Sequence, residues 1–204
     1  MRIKSPLYNS RKELDIARQA IDGMRCAQSF IQFEQAWQDF LVRLERAWNK
    51  TKDVFSDSQY APWRGQHEHM RNSDQLLRYL KQARDAEEHT VCETISKELG
   101  GIGINPSSGN SLHIEHMTIN RGKITIRGAK PGIAVTVYLD RVKLMPAISR
   151  GVVTLPPEEH LGQPFYGTNP MEVAEAGLIY YERMIRDAMP RFGIEKEKER
   201  GQAP

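Results

Sequence analysis

Residues 84 to 89 read Arg84-Asp85-Ala86-Glu87-Glu88-His89, which puts a permanent cation, carboxylates and an imidazole within about one and a half turns of a predicted helix. Arginine keeps its proton at any accessible pH, so Arg84 can only hold negative charge, whereas His89 can give or take a proton near neutrality. That combination suits a phosphodiester. Asp85 and Glu88 add acceptors able to orient the guanidinium or the imidazole. A structural alternative stands beside this one: Glu87 and Glu88 lie three and four residues beyond Arg84, the spacing of helix ion pairs. Arg64-Gly65-Gln66-His67-Glu68-His69 has the same Arg/His spacing, so context must separate the two.

The elements that would position these groups are helical in the first half. Ser10 and Glu13 have the spacing of a capping box, and Leu14, Ala17 and Ile21 share a face before Gly23, a predicted stop. From about Met24 to Phe55, apolar residues recur at Phe30, Phe33, Trp37, Leu41, Leu44 and Trp48, a stripe that faces a core. Pro62 can open a short helix through Met70, and Asn72-Ser73-Asp74 supplies an N-cap for a helix predicted to reach Leu99. Its seam runs Leu77, Leu80, Arg84, Glu88, Val91, Ile95. A cation and a carboxylate inside such a seam are costly unless paired or lining a groove.

Gly100 to Asn110 reads as a linker by composition, and its glycines follow a helix where a phosphate-binding loop would precede one. The period then changes to two. His113–Ile119, Lys123–Ile126 with Arg127, and Ile133–Leu139 predict strands of a small antiparallel sheet, with turns at Asn120-Arg121-Gly122 and Gly128–Gly132. Gly151–Leu155 can add a strand. Asn169 as N-cap and Pro170 at the first helical position start a last helix with Ala174, Leu178, Tyr181 and Ile185 on one stripe, ending at Pro190. Whether it packs on the sheet or returns to the helices is open. The expected class is α+β: a helical bundle over residues 10–99, a linker over 100–110, a sheet with closing helix over 111–190 and a charged, disordered tail over 191–204.

Composition narrows the function. The chain has 204 residues, 39% hydrophobic content and a net charge of +3. It can bury a core, and it shows no dense basic stripe of the kind a dedicated duplex-DNA binder carries. Cys26 and Cys92 sit in apolar helical patterns without metal-site spacing and read as buried free thiols, and no apolar run reaches membrane-spanning length. The expectation is a cytoplasmic protein with no membrane, metal or cofactor. His67 and His69 flank Glu68 but point to different sides of a helix, His113 and His116 face opposite sides of a strand, and Ser107, Ser108 and Ser111 lack a nucleophile elbow.

The segment Tyr79-Leu80-Lys81-Gln82-Ala83-Arg84-Asp85-Ala86-Glu87-Glu88-His89 resembles the signature helix of HEPN (higher eukaryotes and prokaryotes nucleotide-binding) domains. In that family an Arg, usually followed by Asn, Asp or His, precedes a His by a few residues. Arg64 is followed by Gly65 and fits less well. The resemblance spans about residues 10–99. It implies a metal-independent endoribonuclease, commonly a homodimer with facing motifs, in which Arg84 holds the phosphate of an RNA, Asp85 positions, and His89 exchanges the proton of the 2′-hydroxyl. Five helical residues separate Arg84 and His89 by about 140° and roughly 7.5 Å, so a two-fold dimer would bring one copy's Arg84 to the other's His89. Non-catalytic family members exist, and the competing expectation is a dimeric interaction or ligand-binding protein whose sheet meets a protein partner.

Overall fold

The computed structural model describes residues 6–89, 93–166 and 169–192, except for the His89 side chain. The chain divides into two units, one made of residues 1–96 and 142–204 and the other of residues 97–141.

In the first unit, helix α1 (Tyr8–Cys26) lies along α2 (Phe30–Val54). The Ala27–Ser29 break separates them, and the Ser29 hydroxyl caps α2 by accepting from Gln32 N at 3.3 Å. The capping box at Ser10 does not form. Both Ser10 and Glu13 are buried inside α1, where Glu13 takes Arg43 at 3.1 Å and Lys50 at 2.5 Å instead of capping. Gly23 does not stop the helix either. A Cβ there would stand 3.4 Å from the Ala36 methyl, so the glycine serves the close approach of α1 to α2. Of the predicted α2 stripe, Trp37, Leu41, Leu44 and Trp48 are buried in the core, joined by Phe40, while Phe30 and Phe33 near the start of the helix are only half-buried.

A single 3-10 turn (Ser58–Tyr60) leads into α3 (Ala61–Ser73) and then α4 (Gln75–His89). The last helix, α5 (Pro170–Arg191), returns to pack on α1, α2 and α4, which settles its place among the helices. Asn169 Oδ1 caps it through Met171 N at 2.9 Å, and Ala174, Leu178, Tyr181 and Ile185 are buried as the pattern predicts. Aromatic rings of Phe55, Tyr60, Trp63 and Phe192 close the far end, with Phe55 4.5 Å from Trp63.

The α+β class holds, with two changes in layout. The helix predicted to reach Leu99 ends at His89, and Ile95, read as the end of its seam, is a buried residue of strand β1 (Ile95–Glu98). Strand β2 (Gly101–Pro106) occupies most of the expected linker. Alternating glycine and isoleucine made this stretch look like punctuation, but the ladder supplies the order that composition lacks. In place of one sheet there are two-stranded pairs. In the first unit β7 (Ala147–Ser149) pairs with β8 (Val152–Thr154), and β9 (Glu159–His160) with β10 (Gln163–Pro164). In the second, β2 pairs with β5 (Ile133–Tyr138), and β3 (His116–Asn120) with β4 (Lys123–Arg127). Strand β1 pairs with β6 (Arg141–Leu144), along which the chain re-enters the first unit. The predicted grouping of sheet and closing helix is thus replaced by a strand-only unit inserted into a helical one. The first two residues of the predicted tail are ordered: Arg191 is the last residue of α5 and Phe192 caps it and packs on Phe55, while residues 193–204 lie outside the described residues.

Candidate functional site

Helix α4 is the element that would carry the chemistry, and its position is set at its first turn. Asp74, the residue before it, accepts from Leu77 N at 2.9 Å, from His160 Nδ1 at 3.0 Å and, with its other oxygen, from Leu161 N at 2.7 Å. One carboxylate therefore caps the helix and fastens β9 to it. Burial would raise the Asp74 carboxyl, but the bonds from His160, Leu161 and Leu77 outweigh it and hold the group below the ordinary aspartate value. The buried face of α4 is Leu76, Leu77, Leu80, Ala83 and Ala86, with Tyr79 also enclosed.

Arg84 sits at the margin of that face. Its Nη1 donates to Asp85 Oδ1 at 2.8 Å, its Nη2 lies 2.9 Å from Glu88 Oε2, and its side chain is 25% exposed. Its Nε is buried without a hydrogen-bond partner. Burial would weaken the guanidinium's hold on its proton, but the bond to Asp85 and the charges of Glu88, Glu45 and Asp85 more than reverse this and raise its pKa. Asp85, expected to orient a reacting group, is spent on neutralising Arg84, and so is Glu88. A cavity of about 450 Å³ on α4 is lined by Gln75, Arg78 and Gln82 with residues 152–156, and Arg84 is not among its walls. His89 is the last residue of α4, and its side chain lies outside the described residues.

Glu87, the other candidate ion-pair partner, has a different job. It accepts from Thr94 N at 3.0 Å, Thr94 Oγ1 at 2.6 Å and Gln38 Nε2 at 2.9 Å, while Trp37 Nε1 donates to Thr94 Oγ1 at 2.9 Å. Tyr79 Oη donates to the carbonyls of Thr94, at 3.2 Å, and Met145, at 2.7 Å. These bonds hold the return of the chain against α2 and α4. In the second Arg/His run, Arg64 Nη1 donates to the carbonyls of Phe55 at 2.8 Å and Ser56 at 3.0 Å, closing the end of α2.

Two polar clusters escaped the sequence reading. In one, His67 Nδ1 lies 2.9 Å from Tyr180 Oη, and Tyr180 also packs against the His160 ring. Burial, then the Arg191 charge, push His67 below the usual histidine value, and burial with the nearby Asp74 charge pushes the Tyr180 phenol up to about 12. In the other, buried Arg71 donates to Glu45 and stacks on Trp48, 4.7 Å from its ring centre, and on Tyr181, whose phenol is raised chiefly by burial. Neither follows a local spacing; each joins residues from separate elements.

One further expectation needs adjusting. Cys26 is exposed rather than buried, because α1 runs past Gly23 and carries it beyond the core; Cys92 lies outside the described residues. Among the described residues, no group of three His, Cys, Asp or Glu is placed to hold a metal ion, and no helix is long and apolar enough to cross a membrane.

Compared with known proteins, the chain matches no protein-family model, no curated protein and no solved structure. The HEPN resemblance thus rests on the α4 run and its helical setting.

Proposed function

We propose that this chain is a binding protein built on an HEPN-like helical unit, without ribonuclease chemistry at α4. The observation that carries this reading is the double ion pair of Arg84 with Asp85 and Glu88. The three groups sum to one negative charge, so a phosphate approaching Arg84 must displace carboxylates already in place and meets net repulsion. A catalytic arginine needs its donors aimed at the site where transition-state charge develops. Here two of them are committed within the helix. Dimerisation through the helical half, which the resemblance implies, is part of the proposal.

Incubation of labelled RNA with purified protein in the presence of a chelator tests it. The expected outcome is no cleavage above background, the same for wild type and for an Arg84→Ala/His89→Ala variant. Metal-independent cleavage by wild type that the variant loses would establish the nuclease instead, with His89 as acid/base and Arg84 on the phosphate.

A further inference from the structure

The inserted unit carries a feature that only strand register reveals. Across the β3–β4 ladder, His116 stands opposite Arg127, Thr118 opposite Thr125 and Asn120 opposite Lys123. Residues directly opposite one another in an antiparallel pair share a face. One face is therefore wholly polar, and all six residues are exposed. The other face, Met117 with Ile126 and Ile119 with Ile124, is wholly apolar. Arg121 and Gly122 form the connecting turn with φ of +48° and +78°, the two positive values a tight primed hairpin turn requires, and Arg121 is exposed at its tip.

Charge is distributed to match. Residues 97–141 contain six Lys or Arg and three Asp or Glu, a net +3 that equals the charge of the whole chain. Lys97 is paired with Asp140 and Arg141 with Glu98. Among the described residues, Arg121, Lys123 and Arg127 form no ion pair with a carboxylate. The polar face itself holds no acid; Glu115 lies over Gly128, the residue after Arg127.

We infer that the polar face of the β3–β4 ribbon is a docking surface for double-stranded DNA, with Arg121, Lys123 and Arg127 on phosphates and the hydroxyl and amide groups between them towards the groove. Charge complementarity selects a polyanion, and shape selects the kind. Two strands about 4.8 Å apart fit a B-form major groove about 12 Å wide, whereas the deep, narrow major groove of A-form RNA excludes them. Lys123 and Arg127 are four residues apart, about 14 Å along the strand, the rise of about four base pairs. The His116 imidazole is the one aromatic ring on this face, short of the succession of rings on which unpaired bases stack, which disfavours a single strand. A lipid surface is disfavoured because burying Met117 and Ile119 in it would turn the cationic face away.

The ribbon and α4 are tested separately, since duplex binding can fail while RNA remains uncleaved. The full-length protein is titrated into a labelled mixed-sequence DNA duplex over a range of salt concentrations, followed by fluorescence anisotropy. Three phosphate contacts give a slope of log K against log salt of about −2.7. Lys123→Gln and Arg127→Gln should each reduce that slope by about 1, while Lys12→Gln, an exposed cation on α1, should leave it unchanged. The inference is overturned by no binding, by slopes unaffected by the ribbon variants, by an equal effect of Lys12→Gln, or by equal or tighter binding of duplex RNA, single strands or anionic vesicles.

Discussion

Replacing Asp74 tests how α4 is held, because one side chain performs three tasks there. Asp74→Ala removes the cap on Leu77 N, which costs about 1 kcal/mol. It also leaves Leu161 N and His160 Nδ1 without their acceptor in a partly buried site, about another 2 kcal/mol together. The expected total is about 3 kcal/mol. With a urea m-value of about 2 kcal/mol/M, the midpoint falls by about 1.5 M at unchanged m. Asp74→Asn keeps one acceptor oxygen but turns an amide towards one of the remaining donors, so about 1–2 kcal/mol is expected. Tryptophan fluorescence is the assay, since Trp37, Trp48 and Trp63 all lie in the helical unit. The pH dependence has a definite sign. The folded pKa of Asp74 lies below its ordinary 3.8, so its carboxylate stabilises fully above that pH, and the contribution fades as pH falls through the lower folded value. The acid side of the stability curve should be shallower in Asp74→Asn. A midpoint shift below about 0.5 M for Asp74→Ala would refute the three-way anchoring of α4.

Other substitutions probe the remaining elements. Arg71→Ala strands Glu45 beside the aromatic rings and should cost about 3–5 kcal/mol by urea melts, whereas the apolar double replacement Arg71→Met/Glu45→Leu should restore most of it. Because burial depresses the His67 pKa below 6.5, the neutral ring stabilises above pH 6.5, and that contribution is lost as pH falls through the folded value; His67→Gln should flatten the thermal-stability profile there. A Cβ at Gly177 would come within 2.4 Å of a Leu80 methyl, so Gly177→Ala should lower stability by about 1–2 kcal/mol despite the better helix propensity of alanine, and Leu80→Ala in the same background should relieve part of the clash.

The helical framework was legible because it repeats: the α2 stripe from Trp37 to Trp48, the Asp74 cap and the Asn169-Pro170 start are local signals, and each lies where the pattern put it. The end of α4 was not. Its apolar spacing continues on paper to Ile95, and the return is held by Thr94 on Glu87 and Trp37, contacts that bring separate elements together. The glycine and serine content of residues 100–110 hid β2 for a related reason, since its partner β5 lies some thirty residues on. At the candidate site, the residue types were readable but their allegiance was not. Sequence offered Asp85, Glu87 and Glu88 to Arg84; folding gave it Asp85 and Glu88 and turned Glu87 to Thr94. The strands and turn of the β3–β4 ribbon were legible, but its register was not, and Lys123 and Arg127 join His116 and Asn120 on one face only through that pairing.

The central claim is that the Arg84 guanidinium is already occupied. Its most direct test is an NMR titration of the arginine side-chain resonances with a dinucleotide blocked at the 2′-hydroxyl. Arg84 signals that stay in place up to millimolar ligand, and move only when Asp85→Asn/Glu88→Gln frees the guanidinium, are the predicted result. A saturable shift of the Arg84 signals in the wild-type protein would contradict it.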